Sequence, residues 1–285
     1  MWGSDLIAAG LRQVGFTVTS LNPGASYRGL HDSMVNYPDG QLDILTCLHD
    51  EHAVAVAHGW TKVTGRPALA MLHSNVGLLH ATMAIYNAWV DRAPVVIIGA
   101  GGPRDAARRR PWIEWIHTFQ DQAQLVRPYT KWDDQPASAI SAVRSIAQGT
   151  FLAMDGPKGP VYICLDVLDQ EEWLDSPPPV SELAARPNVQ QPGLTGEQVK
   201  EIEQALRGAQ RPIIHFGRVS RDESDWALRM ALVEALGAWV ITDIRSAAAF
   251  PTNAPAHVSH PGFGLDMAQQ TALRSADCVL LFDPV

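Results

Sequence analysis

Residues 48–60 read "LHDEHAVAVAHGW" and set a carboxylate, Glu51, between His49 and His52 at the head of a run of alanine, valine and glycine. A carboxylate at the mouth of a small, apolar helix is unusual, because burial disfavours its charged form unless the acid has a task there. Two other stretches carry residues of the same kind. "NPGAS" (22–26) is a tight turn between a strand and a helix, and its glycine lets backbone come close to a neighbour. "LHSNVG" (72–77) ends a strand on His73 and opens a helix through Asn75 and Gly77. His49, His52 and His58 raise the question of a metal, but the spacing lacks H-E-x-x-H and no metal ligands are assigned. "GAGGPR" (99–104) begins as G-x-G, yet Arg104 stands where a dinucleotide fingerprint needs its third glycine.

Those residues are carried by an alternation of elements. Strands are expected at 16–21, 42–48, 67–72, 93–100 and 159–165, with helices near 27–36, 51–64, 77–90 and 138–154. Strands apolar on both faces and separated by helices indicate an α/β chain: a parallel sheet between two helical layers. In such a sheet the strands' carboxyl ends share one edge, where ligands bind. Asn22–Ser26, His49–His52 and His73–Gly77 all fall there, which makes Glu51 the expected acid of a shared site. The reading divides the chain into a first domain (1–170), a proline-rich linker (171–194) and a second αβ domain (195–285). The second domain alternates helix and strand and runs out directly after "DCVLLF" (277–282), so it is read as incomplete.

The bulk composition excludes several classes. Lys plus Arg is 22 and Asp plus Glu is 30, a net charge of −8, which gives no general attraction for nucleic acid or an anionic membrane. The basic stretch "RDAARRR" (104–110) is read as a solvated loop. Three separated cysteines without CxxC read as free thiols, and no leader or membrane span is visible, so the expected location is the cytoplasm.

Residues 51–99 resemble the pyrimidine-binding domain of thiamine diphosphate-dependent decarboxylases and carboligases: an acid after a strand, "A-x-A-x-G-[YW]", "TG-[KR]-P", an alanine-rich helix and "D-x-x-P-x-[VI]". "NPG", "LHS", "RPYTKW" with "PAS", and "GPVY" resemble benzoylformate decarboxylase, whereas "TFQD" (118–121) resembles acetohydroxyacid synthases. The resemblance implies a thiamine diphosphate-binding fold followed by a partial Rossmann-like central domain, which binds FAD in some members. It implies that Glu51 hydrogen-bonds the cofactor's pyrimidine ring nitrogen and that His73 moves protons at the substrate. Asn22, Pro23, Gly24, Asn75 and Gly77 are expected against the cofactor, and Ala25, Ser26, His73, Phe119 and Gln120 around a 2-keto acid. Ala25 stands where the decarboxylase has a serine. Mg²⁺ and the diphosphate are held by a further domain with "GDG…NN", absent from this sequence. The implied assembly is a homodimer or tetramer, or a pairing with a separate subunit carrying that domain, and the isolated chain is expected to be inactive. The alternatives are a non-catalytic scaffold or sensor and a flavin-linked 2-keto acid oxidase.

Overall fold

The structure, a computed structural model, describes residues 1–112, 114–186 and 193–285. The chain divides into two compact units, Met1–Asn188 and Val189–Val285.

The first unit runs α1 (Gly3–Val14), β1 (Val18–Leu21), α2 (Arg28–Asn36), β2 (Asp43–Thr46), α3 (Asp50–Thr64), β3 (Ala68–Leu72), α4 (Ser74–Val90) and β4 (Val95–Gly101). It continues with α5 (Glu114–His117), β5 (Asp133–Asp134), α6 (Ala139–Met154), β6 (Val161–Asp166), α7 (Val167–Glu171) and α8 (Val180–Leu183). The six strands form one sheet in the order β2-β1-β3-β4-β6-β5, with every pairing parallel. Strands β3, β4 and β6 are buried along their whole length, as their unbroken apolar sequences require. One core cluster joins the sheet to residues of α1, α2 and α6, and a second joins it to residues of α3 and α4. The sheet therefore lies between two helical layers.

Three sequence expectations change. Helix α1 went unread, although Leu6, Ile7 and Leu11 form a stripe at helical spacing and are fully buried. Gly15, at φ 108°, ends it in the left-handed region that glycine alone adopts freely. The expected linker begins too early: Leu174 N–H bonds the Met1 carbonyl at 2.9 Å, and Leu183 is buried in the first unit's core. Residues 187–192 of that linker lie outside the described residues. Helix α3 is buried on one side only. Ala53, Val54, Ala57 and Thr61 face the core, whereas Val56, Trp60 and Val63 are exposed.

The second unit runs α9 (Gly196–Gly208), β7 (Pro212–Phe216), α10 (Glu223–Leu236), β8 (Trp239–Thr242), α11 (Met267–Ser275) and β9 (Cys278–Phe282). Thr195 caps α9, its hydroxyl accepting from Gln198 N. Its parallel sheet has the order β8-β7-β9. Among the described residues, no helix is long and apolar enough to cross a membrane. Cys164 is buried, Cys47 and Cys278 are half-buried, and all three are free thiols.

Candidate active site

The carboxyl ends of β1, β2 and β3 meet as the sequence implies, but around Asp50. Asp50 is the first residue of α3 and is 6% exposed. Its Oδ2 accepts from Asn22 Nδ2 at 2.8 Å and its Oδ1 from the His73 backbone N–H at 3.1 Å. One carboxylate thus ties three strand ends together. The Tyr27 hydroxyl donates to the Asn22 carbonyl and fixes the turn from the other side. Burial first, and then the negative Asp50, hold the Tyr27 phenol well above its ordinary value. Helix α3 is pinned beneath by Ser20, whose Oγ donates to the Ala53 carbonyl at 2.6 Å.

Glu51 has no part in this network. It is half-buried, and among the described residues its carboxylate has no hydrogen-bond partner. A step of one residue turns a side chain by about 100° round a helix. That step takes Glu51 off the buried stripe of Asp50, Ala53, Val54, Ala57 and Thr61. The buried residues follow i, i+3, i+4, i+7 and i+11, the spacing of one helix face.

The two expected glycines are needed for contacts within the chain. A Cβ on Gly77 would lie 2.3 Å from Asp50 Oδ1, and one on Gly24 would lie 2.4 Å from the His73 ring. Pro23 is exposed at the turn. Among the described residues, Asn75 Oδ1 and Ser74 Oγ are buried without a hydrogen-bond partner.

His73 stands at the head of α4, with its Nδ1 3.0 Å from Ser26 Oγ. Ser26 Oγ also accepts from Ser74 N–H at 3.2 Å. Ser26 is buried and Ala25 exposed, so the hydroxyl one place further along is the one that meets the histidine. Burial first, and then the nearby His117, lower the pKa of His73, against a smaller opposing pull from Asp50. The two imidazoles lie 4.8 Å apart, centroid to centroid. A small cleft beside them is lined by Ala25, Ser26, His73, Arg110, Glu114 and His117, among others. Phe119 and Gln120 do not line it: Phe119 is 42% exposed and Gln120 is exposed. The basic stretch is also less loose than its composition implies. Arg104 pairs with Asp166 at 3.1 Å and Arg110 with Glu114 at 2.8 Å.

The other sequence candidates serve packing. His49 caps α3, accepting from Glu51 N–H, and its Nε2 lies 2.8 Å from His80 Nδ1. His58 pairs with Asp91 at 2.9 Å. Gly99 leaves room for Tyr162, whose hydroxyl would lie 2.0 Å from a Cβ there. Among the described residues, no group of three or more His, Cys, Asp or Glu is arranged to hold a metal ion.

A strand-end site of this form, on this sheet, can be compared with known proteins. The family model "Thiamine pyrophosphate enzyme, N-terminal TPP binding domain" matches residues 1–125, and the model "Thiamine pyrophosphate enzyme, central domain" matches residues 199–282. The chain belongs to the thiamine pyrophosphate enzymes. It is 29% identical over 246 residues to the benzoylformate decarboxylase of Pseudomonas aeruginosa, which covers 85% of this chain and 44% of that protein. It is 25% identical to the acetolactate synthase of Mycobacterium bovis, over 98% of this chain and 44% of that protein. The thiamine diphosphate-dependent 4-hydroxybenzoylformate decarboxylase of Rhodococcus jostii superposes with a TM-score of 0.85 at 25% identity, covering 99% of this chain and 51% of that one. The chain thus spans about half the length of the relatives it matches.

The residues present fit one half of a thiamine diphosphate. A buried carboxylate, Asp50, and the unpartnered Asn75 Oδ1 and Ser74 Oγ are acceptors of the type an aminopyrimidine requires. Among the described residues, nothing gathers ligands for the Mg²⁺ that accompanies a diphosphate.

Proposed function

We propose that this chain is the pyrimidine-binding and central portion of a thiamine diphosphate-dependent enzyme that decarboxylates or ligates 2-keto acids. The cofactor, when bound, supplies the electron sink for a 2-keto acid. In this reading Asp50 takes the role the sequence resemblance gave to Glu51: a buried carboxylate that meets the pyrimidine ring nitrogen. What supports Asp50 is its burial at the meeting point of three strand ends, whereas Glu51 stands partnerless beside it. Asn22 orients that carboxylate and Asn75 accepts from the ring's amine. His73 works beside the substrate. In this reading Ser26 donates its hydroxyl hydrogen to His73 Nδ1, 3.0 Å away, and the neutral imidazole's own proton sits on Nε2, where it can be donated.

The single observation that carries the reading is the Asp50–Asn22–His73 junction on a sheet of this family. Mg²⁺ and the diphosphate are assigned to a further domain, on a longer chain or a separate subunit. A second copy is proposed to cover the exposed apolar faces of α3 and α4, including Val56, Trp60, Leu79 and Met83. The likeness to a benzoylformate decarboxylase favours decarboxylation, and a cytoplasmic setting suits the free thiols.

The test is calorimetric titration of thiamine diphosphate with Mg²⁺ into the chain joined with its diphosphate-binding partner region. Tight binding that Asp50→Asn weakens and Glu51→Gln leaves unchanged is the expected result. The reverse pattern would restore Glu51. Absence of binding in every form would favour the non-catalytic scaffold.

A further inference from the structure

We propose that Arg110 and His117 are the specificity residues of this site and bind the carboxylate of the substrate. This rests on the 2-keto acid reading above and names a subsite within it.

Four observations place a carboxylate there. First, the cleft is about 20 Å³, room for one group the size of a water or a carboxylate oxygen. A ligand would therefore insert one small end and leave the rest outside. Second, the guanidinium of Arg110 is held but not used up. Its backbone N–H and its Nε both go to the Glu114 carboxylate, while among the described residues its two Nη groups have no hydrogen-bond partner. Glu114 is itself 4% exposed, so the lever that aims Arg110 is fixed in the protein. Arg110 and Glu114 offset each other, and an incoming anion meets an Nη face rather than an unpaired acid. Two Nη groups match the two oxygens of a carboxylate.

Third, among the described residues His117 Nδ1, from the cleft lining, and Thr118 Oγ1 next to it are buried without hydrogen-bond partners. Buried polar atoms left unpaired carry a cost of desolvation, which a bound acceptor relieves. Fourth, Glu114 and Thr118 are pressed onto the end of β4. A Cβ on Gly102 would lie 2.4 Å from both Glu114 Cγ and Thr118 Oγ1. Glycine at 102 is what brings α5 close enough for His117 to face His73. The opposite wall begins at Ala25, which has no side-chain donor, so the charged contact comes from the α5 side.

The consequence is a division of labour. The His73 side supplies proton chemistry, and the α5 side reads the acid group. Neutral analogues, an aldehyde or an amide of the same skeleton, satisfy His73 but not Arg110.

The experiment follows the imidazole ¹⁵N–¹H signals of the full chain by nuclear magnetic resonance during titration with pyruvate, with phenylglyoxylate, with pyruvamide as the neutral control, and with acetate. The expected result is that both keto acids shift His73 and His117 together and pyruvamide does not. Arg110→Gln should weaken that binding about tenfold or more, as loss of a charge-assisted contact does. Arg110→Lys should keep part of it and His117→Gln should weaken it severalfold, each variant retaining the parent backbone spectrum. Keto acid binding indifferent to both Arg110→Gln and His117→Gln overturns the proposal and leaves the 2-keto acid reading standing. Equal, Arg110-dependent binding of acetate and keto acids keeps the carboxylate subsite and removes the support for a keto acid. No shift with any carboxylate overturns the subsite, while the cofactor titration above still decides the wider reading.

Discussion

The two units are built on the same plan, a parallel sheet with helices packed against it, yet their strand ends differ. In the first unit Asn22, Asp50 and His73 come from three successive strand ends and close on one another in a buried junction. In the second unit Asp243, just after β8, pairs with His215 of β7 at 3.3 Å and with Arg245 at 3.3 Å, where Arg245 is 60% exposed. The difference teaches that this layered architecture does not itself make a site. A site needs polar groups from several strands to be removed from water together, so that each depends on the others.

That comparison can be broken most directly by removing the acid from each unit. Asp50→Ala strands the His73 N–H and the Asn22 amide in a buried place, and we expect a loss of about 2–5 kcal/mol. Asp243→Ala removes one exposed pair with Arg245 and one part-buried contact with His215, and should cost about 1 kcal/mol. Urea unfolding monitored separately for each unit checks both, and similar losses would erase the distinction.

Next come the glycines. Gly77→Ala drives a methyl group toward Asp50 Oδ1, only 2.3 Å away, and is expected to cost about 1–3 kcal/mol. Gly237→Ala meets nothing within 4 Å but must hold φ at 56°, a penalty of about 1 kcal/mol. Thermal melts of the two variants should rank in that order.

The pH response sharpens the picture within the first unit. His73 has its folded pKa lowered, chiefly by burial, from the model-peptide value of 6.5. The unfolded chain therefore takes up the proton first, and stability is lost as pH falls below about 6.5. Asp169 acts with the opposite sign. Burial, then Asp166, raise it from 3.8 to about 6, so the folded state protonates first and stability is gained as pH falls from 6. Stability measured from pH 8 to 5 should become less acid-sensitive in His73→Gln and more acid-sensitive in Asp169→Asn. Unchanged slopes would mean that neither group is desolvated as the geometry indicates.

The smallest expected effect is at Glu51. Glu51→Gln should leave stability within about 0.5 kcal/mol of the parent, because the half-buried carboxylate has no hydrogen-bond partner among the described residues. A large loss would return Glu51 to the junction.

How much of this was legible differs by level. The alternation of apolar strands and helices defined an α/β chain with two units, because a strand buried on both faces has to be apolar throughout. Residue types at strand ends pointed to the sheet edge where Asn22, Asp50 and His73 meet, since parallel strands bring their carboxyl ends together. Helix α1 was missed even though its stripe was present, for want of a strand before it to frame it. What the sequence could not decide was which of two adjacent acids turns inward, or that Ser26 rather than Ala25 meets His73. A single residue step on a helix reverses burial, and only the packing of α3 under β1, held by Ser20 on the Ala53 carbonyl, chooses the face. Nor could composition show that the arginine-rich loop folds back so that Arg110, aimed by Glu114, joins the cleft beside His73. By itself the sequence determined the elements and the edge on which they deliver polar groups. The tertiary structure decided which of those groups leave water together, because burial is a property of the surrounding surfaces and not of the residue.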